Sequence, residues 1–102
     1  MNDTIPPIHP GEILSEEFLQ PLGISMNQLS RDLNISVQRV SEIVRGRRAI
    51  TTDTAMRLAA YFKTSAEFWL NLQMRYDLEQ AKDSNLASRI SQEVRPRQQH
   101  CA

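Results

Sequence analysis

Apolar residues between positions 25 and 48 recur at helical spacing in two short runs. In the first run Leu29 and Leu33 lie four residues apart on one face, and in the second Val40 and Ile43 lie three apart. Most of the remaining positions are polar or charged. The pattern predicts two amphipathic helices that bury their apolar faces on a common core.

The ends of these two helices are marked by residues that commonly cap helices. Ser25 and Gln28 match a capping box at the start of the first helix, and Ser36 can cap the second. Asn34 falls at the turn, where asparagine tolerates the left-handed conformation, and Gly46 ends the second helix. This register matches a helix-turn-helix. A plain helical hairpin, which would bury the same leucines, is the alternative.

Helical spacing elsewhere predicts three more helices and no strand. One spans about residues 10–22, and a fourth follows the N-cap Thr51. A fifth runs from Ala66 to about Ala81 behind a capping box formed by Thr64 and Glu67. We therefore expect an all-α fold of five helices.

The last part of the chain is polar and differs in composition from the rest. Residues 1–82 are expected to form the folded domain, and residues 83–102 a C-terminal tail that is partly helical or disordered. Leu86, Ile90 and Val94 recur every four residues, so a short helix up to about Val94 is one reading of this tail.

The fifth helix has two apolar stripes, more than a surface helix needs. Phe68, Trp69, Leu72 and Tyr76 form one, and Leu70, Met74 and Leu78 form the other. One stripe should close the core, with Trp69 as an anchor. We expect the second stripe to form a two-fold dimer interface, because a small domain cannot cover both. A single broad core face is the alternative.

Charge is balanced overall but unevenly distributed. The chain carries 12 basic and 12 acidic residues, yet the segment 31–57 holds six arginines and no lysine. Phosphate binding requires a local basic surface rather than a basic average. Arg45, Arg47 and Arg48 cluster after the second helix of the pair, so we expect them to contact DNA phosphates. A basic surface that meets an acidic protein partner is a rival interpretation.

Several other classes of protein fit the sequence poorly. His9 and His100 lie at opposite ends, Glu16 and Glu17 diverge on a helix, and no metal-spaced Cys/His set occurs. An enzyme, a metal site and a cofactor are therefore not expected. Cys101 is the single cysteine, and no signal pattern or apolar span of about 20 residues is present. These features favour a cytoplasmic protein that has no membrane association.

Three further segments carry a family likeness. HPGEIL at 9–14, GRRAIT at 46–51 and FWLNLQ at 68–73 resemble the HigA-type antitoxins, which are members of the lambda-repressor-like (XRE) helix-turn-helix domains. The resemblance covers about residues 8–80. It implies a DNA-binding homodimer of a type II toxin–antitoxin module that represses its own promoter and neutralises a HigB-like mRNA-cutting ribonuclease. A stand-alone or phage-type repressor of the same fold is the alternative.

The resemblance also implies roles for individual residues. The family's base-reading positions fall on Val37, Gln38, Arg39 and Glu42, which also lie on the outward face that periodicity predicts. Its phosphate contacts fall on the starts of the two helices and on arginines after them, namely Ser25, Met26, Gln28, Ser36, Arg45 and Arg48. Glu42 would either accept from cytosine or orient Arg39 or Arg45, and we favour the orienting role.

Overall fold

The computed structural model describes residues 6–98, which form six helices and, in that range, no strand. Helix α1 covers residues 10–22 in three segments, α-helical Pro10–Ile13, π-helical Leu14–Leu19 and α-helical Gln20–Leu22. The others are α2 (Met26–Leu33), α3 (Val37–Val44), α4 (Thr52–Phe62), α5 (Ala66–Asp83) and α6 (Leu86–Glu93). The all-α class is confirmed, but the count is six because the start of the tail forms its own helix.

The beginning of α1 packs tightly against the end of α3. His9 caps α1, because its Nδ1 accepts a hydrogen bond of 2.8 Å from the Gly11 amide. A Cβ on Gly11 would lie only 1.7 Å from the carbonyl oxygen of Ile43, so glycine alone permits this approach. The His9 ring packs edge-on against Tyr76 with 4.8 Å between ring centroids. The HPGE segment therefore positions helices α1, α3 and α5 relative to one another.

The π-helical turn in α1 ends at Leu19, two residues before Pro21. The amide of Gln20 donates to the carbonyl of Ser15, five residues back, instead of to the residue four back. We attribute this widening to Pro21, because a proline ring clashes with the carbonyl four residues before it in a regular α-helix. Helix α1 then ends at Gly23, which is left-handed with φ 67°.

Ten buried apolar side chains from α1 to α5 form one core: Leu14, Leu19, Leu29, Leu33, Val40, Ile43, Ile50, Ala55, Leu58 and Trp69. Trp69 is fully buried, as expected of an anchor, and its indole N–H donates to the Thr64 hydroxyl at 2.9 Å. The predicted Thr64–Glu67 capping box is therefore wrong: Thr64 serves the indole, and Ser65 caps α5 by accepting from the Phe68 amide.

One buried polar residue joins α5 to the loop that follows α3. The side-chain oxygen of Gln73 accepts from the Ile50 amide at 2.8 Å, and its nitrogen donates to Asp77 at 2.9 Å. Both polar ends of Gln73 are thus satisfied, as burial of an amide requires. The loop before α4 is fixed by this bond and by the burial of Ile50.

Residues 6–98 contain neither a helix that could cross a membrane nor a side-chain cluster that could hold a metal ion. Within residues 6–98, none of the helices combines the length and apolar character that a membrane crossing requires. Over the same residues, no group of three or more acidic, histidine or cysteine side chains is arranged to hold a metal ion. His100 and Cys101 lie outside the described residues.

Candidate nucleic-acid interface

The turn between α2 and α3 has the geometry that the sequence predicts. Asn34 is left-handed with φ 60° and ψ 46°. The amide of Ile35 donates back to the carbonyl of Ser30 at 3.0 Å, which closes the end of α2. Ser36 then caps α3, because its hydroxyl accepts from the Arg39 amide at 3.0 Å. These bonds fix α3 across the end of α2.

The predicted contact residues at the helix starts are mostly accessible. Ser25 caps α2 by accepting from the Gln28 amide at 3.0 Å, and both residues are exposed. Met26 is half-buried and packs against the core, so its side chain is turned away from solvent. At the start of α3, Val37 is 44% exposed and Gln38 is exposed. An exposed valine at this position has no role in the core.

Glu42 contacts two of the other predicted DNA-binding residues. Its Oε1 accepts from Arg48 Nε at 2.7 Å and lies 2.6 Å from Arg48 Nη2 in the same ion pair. Its Oε2 accepts from Gln38 Nε2 at 3.2 Å. The hydrogen bonds from Arg48 and then Gln38 lower the pKa of Glu42 below its ordinary value. Glu42 therefore pairs with Gln38 and Arg48, and not with Arg39 or Arg45, the partners that the sequence suggested.

Arg39 reaches across to the start of α4. Its Nη2 donates to Asp53 Oδ2 at 2.8 Å and to the hydroxyl of Thr54. Arg57 donates to the same Asp53 oxygen at 3.0 Å and to the Leu33 carbonyl at 2.8 Å. Hydrogen bonds from Arg57 and then Arg39 lower the pKa of Asp53. This cluster, which we call the Asp53 clip, ties α2 and α3 to α4.

The arginines after α3 surround a left-handed glycine. Gly46 has φ 76°, and the amide of Arg47 donates to the Glu42 carbonyl at 2.8 Å, which ends the helix. Arg45 and Arg47 are exposed, and neither forms an ion pair within the described residues. Arg48 is paired with Glu42. Two of the three arginines predicted to bind phosphate are therefore available without breaking an ion pair.

A buried histidine lies beneath this arginine cluster. His9 is 8% exposed, and a Cβ placed on Gly46 would lie at ordinary van der Waals distance from the His9 ring. Burial lowers the pKa of His9, while the backbone of Arg48 and the charge of Asp77 act in the opposite direction. A neutral imidazole suits its capping role, since Nδ1 must stay unprotonated to accept from Gly11.

The second stripe on α5 is partly exposed. Met74 and Leu78 are 56% and 53% exposed, whereas Leu70 is half-buried against the core. The apolar residues of α6 and the position after it, Leu86, Ile90 and Val94, are also exposed. Five of these six side chains are exposed, four of them on α5 and α6 and Val94 just after α6, and exposed apolar clusters commonly mark interaction surfaces.

Sequence reasoning missed the Asp53 clip and the capping role of His9. The spacing of Asp53 and Arg57, four residues apart on α4, is a signal that could have revealed half of the clip. The contact from Arg39 spans 14 residues and leaves no local pattern. The role of Gly11 depends on a close approach of two helices, which no local pattern reveals either.

An exposed recognition helix, capped and held behind a tight turn, defines the helix-turn-helix class. A family model described as helix-turn-helix matches residues 16–69, so the chain belongs to that family. The structure of Pseudomonas aeruginosa antitoxin HigA with the higBA promoter is similar, with 48% identity and a TM-score of 0.83. The match covers 90% of this chain and 99% of that one.

Curated relatives agree with this placement. Antitoxin HigA-1 of Vibrio cholerae is 38% identical over 72 residues, which cover 71% of this chain and 68% of the relative. An HTH-type transcriptional regulator of Haemophilus influenzae is 46% identical over 72 residues, covering 71% and 67%. The resemblance to HigA antitoxins is confirmed, and the structural match extends beyond residues 8–80.

Proposed function

We propose that this chain is a sequence-specific DNA-binding antitoxin that represses its own promoter and neutralises a HigB-like mRNA-cutting ribonuclease. The observation that carries the proposal is the 48% identity, over nearly the whole length, to an antitoxin HigA whose structure includes its promoter. The exposed face of α3 and the free arginines after it supply the chemistry that DNA requires.

Base reading is assigned to the outward face of α3. Val37 offers an apolar contact for a thymine methyl, and Gln38 offers an amide for adenine. Arg39 reads guanine with the guanidinium nitrogens other than Nη2, because Asp53 and Thr54 both accept from Nη2. Glu42 acts on bases through the side chains it holds.

Phosphate contacts are assigned to the two helix starts and to the arginine cluster. Backbone amides at a helix start favour anions, and Met26 can contribute through its amide although its side chain packs inward. Arginines in the cluster add charge-assisted bonds. The full set is Ser25, Met26, Gln28, Ser36, Arg45, Arg47 and Arg48.

The chain acts as a homodimer through the second stripe of α5. Leu70, Met74 and Leu78 form the interface, and two exposed members of this stripe support the assignment. The radius of gyration is 17.6 Å, against about 13 Å expected for a compact domain of this length. In such a dimer, the second copy would bury apolar residues that are exposed on α5 and α6.

The proposal also covers the domain organisation, the absence of catalysis and the cellular location. The DNA-binding unit is assigned to residues 1–82 and the tail to residues 83–102. Helix α5 runs one residue past this boundary, to Asp83, and the described part of the tail includes α6. The chain has no catalytic activity of its own, because its chemistry is that of binding. It acts in the cytoplasm, where its promoter and the target of its toxin are found.

A second candidate is a transcription repressor without a toxin. The Haemophilus influenzae relative, which is named only as a regulator, favours it. A reading frame for a short basic ribonuclease beside the gene would favour the antitoxin. Growth arrest caused by that ribonuclease and relieved by this chain would exclude the second candidate.

The test of the first candidate is a footprint on the DNA upstream of the gene, with and without the candidate toxin. We expect protection of two half-sites about one helical turn apart, since a two-fold dimer presents two copies of α3. A scrambled duplex of the same composition is the control. Equal binding of both duplexes would contradict the proposal.

A further inference from the structure

We propose that Glu42 is a positioning residue for Gln38, which it sets to select adenine over guanine. The inference rests on the proposed function, since it concerns how the same surface reads DNA. It assigns a base to one side chain and a specificity role to another that need not touch the DNA.

The first step is the fixed orientation of the Gln38 amide. An exposed glutamine can turn its oxygen and nitrogen to either side. Here Nε2 of Gln38 donates to Oε2 of Glu42 at 3.2 Å. An ionised carboxylate only accepts hydrogen bonds, so the amide nitrogen must face Glu42.

The second step is that Glu42 is itself held. Arg48 Nε donates to its Oε1 at 2.7 Å, and the same oxygen forms an ion pair with Arg48 Nη2 at 2.6 Å, which leaves Oε2 for Gln38. These bonds also favour the ionised form and lower the pKa of the carboxyl. Each oxygen of Glu42 therefore already has a donor. This arrangement favours the positioning role over direct acceptance from cytosine.

The third step is the pattern that the fixed amide presents. One N–H of Gln38 is used by Glu42, and the second N–H and the Oε1 acceptor remain. Adenine offers the N7 acceptor and the N6 amino donor in the major groove, which complement that pair. Guanine offers two acceptors, N7 and O6, so the amide oxygen would face another oxygen. The restraint on the amide thus becomes a preference for adenine.

The experiment selects bound duplexes from a randomised library and measures affinity for the recovered consensus. We expect the native chain to prefer adenine over guanine about tenfold at one position of each half-site. Glu42→Gln should bring this ratio close to one, because a carboxamide can accept or donate and so releases the Gln38 amide. Glu79→Gln is the matched control, since it alters an exposed pairing with Arg75 on α5.

Atomic substitutions in the DNA identify the contact. At the preferred adenine, 7-deazaadenine removes N7, and purine removes the N6 amino group. Each should weaken the native chain about fivefold or more and Glu42→Gln much less. Arg48→Ala should also reduce the adenine preference, whereas loss of a phosphate contact alone would weaken all duplexes alike.

The outcomes separate the inference from the proposed function. A native chain that selects no sequence would overturn both. A native chain that selects a sequence, with Glu42→Gln keeping its full adenine preference, would overturn the inference alone. So would an unchanged affinity for the 7-deazaadenine duplex. Thermal unfolding of Glu42→Gln and Glu79→Gln checks that both variants fold.

Discussion

Replacing Gly11 by alanine is the sharpest test of how α1 supports the recognition helix. Alanine is ordinarily the better residue in a helix, by up to about 1 kcal/mol. Here its Cβ would lie 1.7 Å from the Ile43 carbonyl oxygen and 2.7 Å from the carbonyl carbon. Real Cβ contacts almost never fall below 3.0 Å. The start of α1 must therefore move by about 1.3 Å, since that is the shortfall in this contact.

The structure gives the size of the effect. Overpacking costs typically about 1–3 kcal/mol, and the upper end applies because the struck group is backbone. Subtracting the gain in helix propensity leaves a net loss of about 2 kcal/mol. For a domain of this length, this corresponds to a melting temperature lower by about 8–16 °C. The displacement also disturbs the N-cap of α1, because the Gly11 amide donates to His9 Nδ1.

Urea unfolding followed by far-UV circular dichroism measures the effect, at one protein concentration because association contributes to stability. Ala60→Gly on the exposed face of α4 is the matched control. It makes the opposite exchange, alanine to glycine, and so measures the cost of lost helix propensity. We expect both variants to be destabilised. A Gly11→Ala chain as stable as the native one would refute the close approach of α1 to α3.

The remaining predictions concern pH, salt and assembly. Burial lowers the pKa of His9, so on acidification the unfolded chain binds a proton before the folded chain does. The stability contributed by neutral His9 should therefore be complete above about pH 6.5 and fall below it. His9→Asn, which can cap the helix without titrating, should reduce this fall when urea unfolding is measured across pH. Single alanine variants of Arg45, Arg47 and Arg48 should each lower the magnitude of the slope of log affinity against log salt concentration by about 0.9. Unchanged slopes in all three variants would show that these arginines do not contact phosphate. Met74→Glu should dissociate dimers in sedimentation at micromolar concentration and weaken operator binding; a variant that stays dimeric would move the interface elsewhere.

The sequence predicts the fold wherever a local rule decides the conformation. Asn34 and Gly46 are left-handed, and Ser25 and Ser36 cap helices, as their residue types and spacing indicate. The two caps depend on bonds that span three residues, and the two turns on backbone bonds that span five. The same reasoning misplaced the cap of α5, because the Thr64 hydroxyl is used by a side chain five residues away.

The candidate interface was predictable in outline but not in its connections. The outward positions of α3 follow from periodicity alone. The partners of those side chains do not, because Glu42 can reach several arginines and only the path of the chain after Gly46 brings Arg48 to it. Likewise, the contact of Arg39 with Asp53 depends on the angle at which α4 leaves the loop.

Helix α3 presents exposed side chains that the core does not use and one, Arg39, that is paired with Asp53 on α4. Substitutions at these two kinds of position have unequal consequences for how such proteins diverge. Val37 and Gln38 make no contact with the core of the domain, so new residues can be introduced there, and new operators acquired, at little cost in folding. Arg39 is tied to Asp53, and a change at position 39 leaves that carboxylate beside Arg57 alone. Related systems that avoid cross-regulating one another can therefore vary position 37 freely, but are expected to change 38 together with 42 and 39 together with 53.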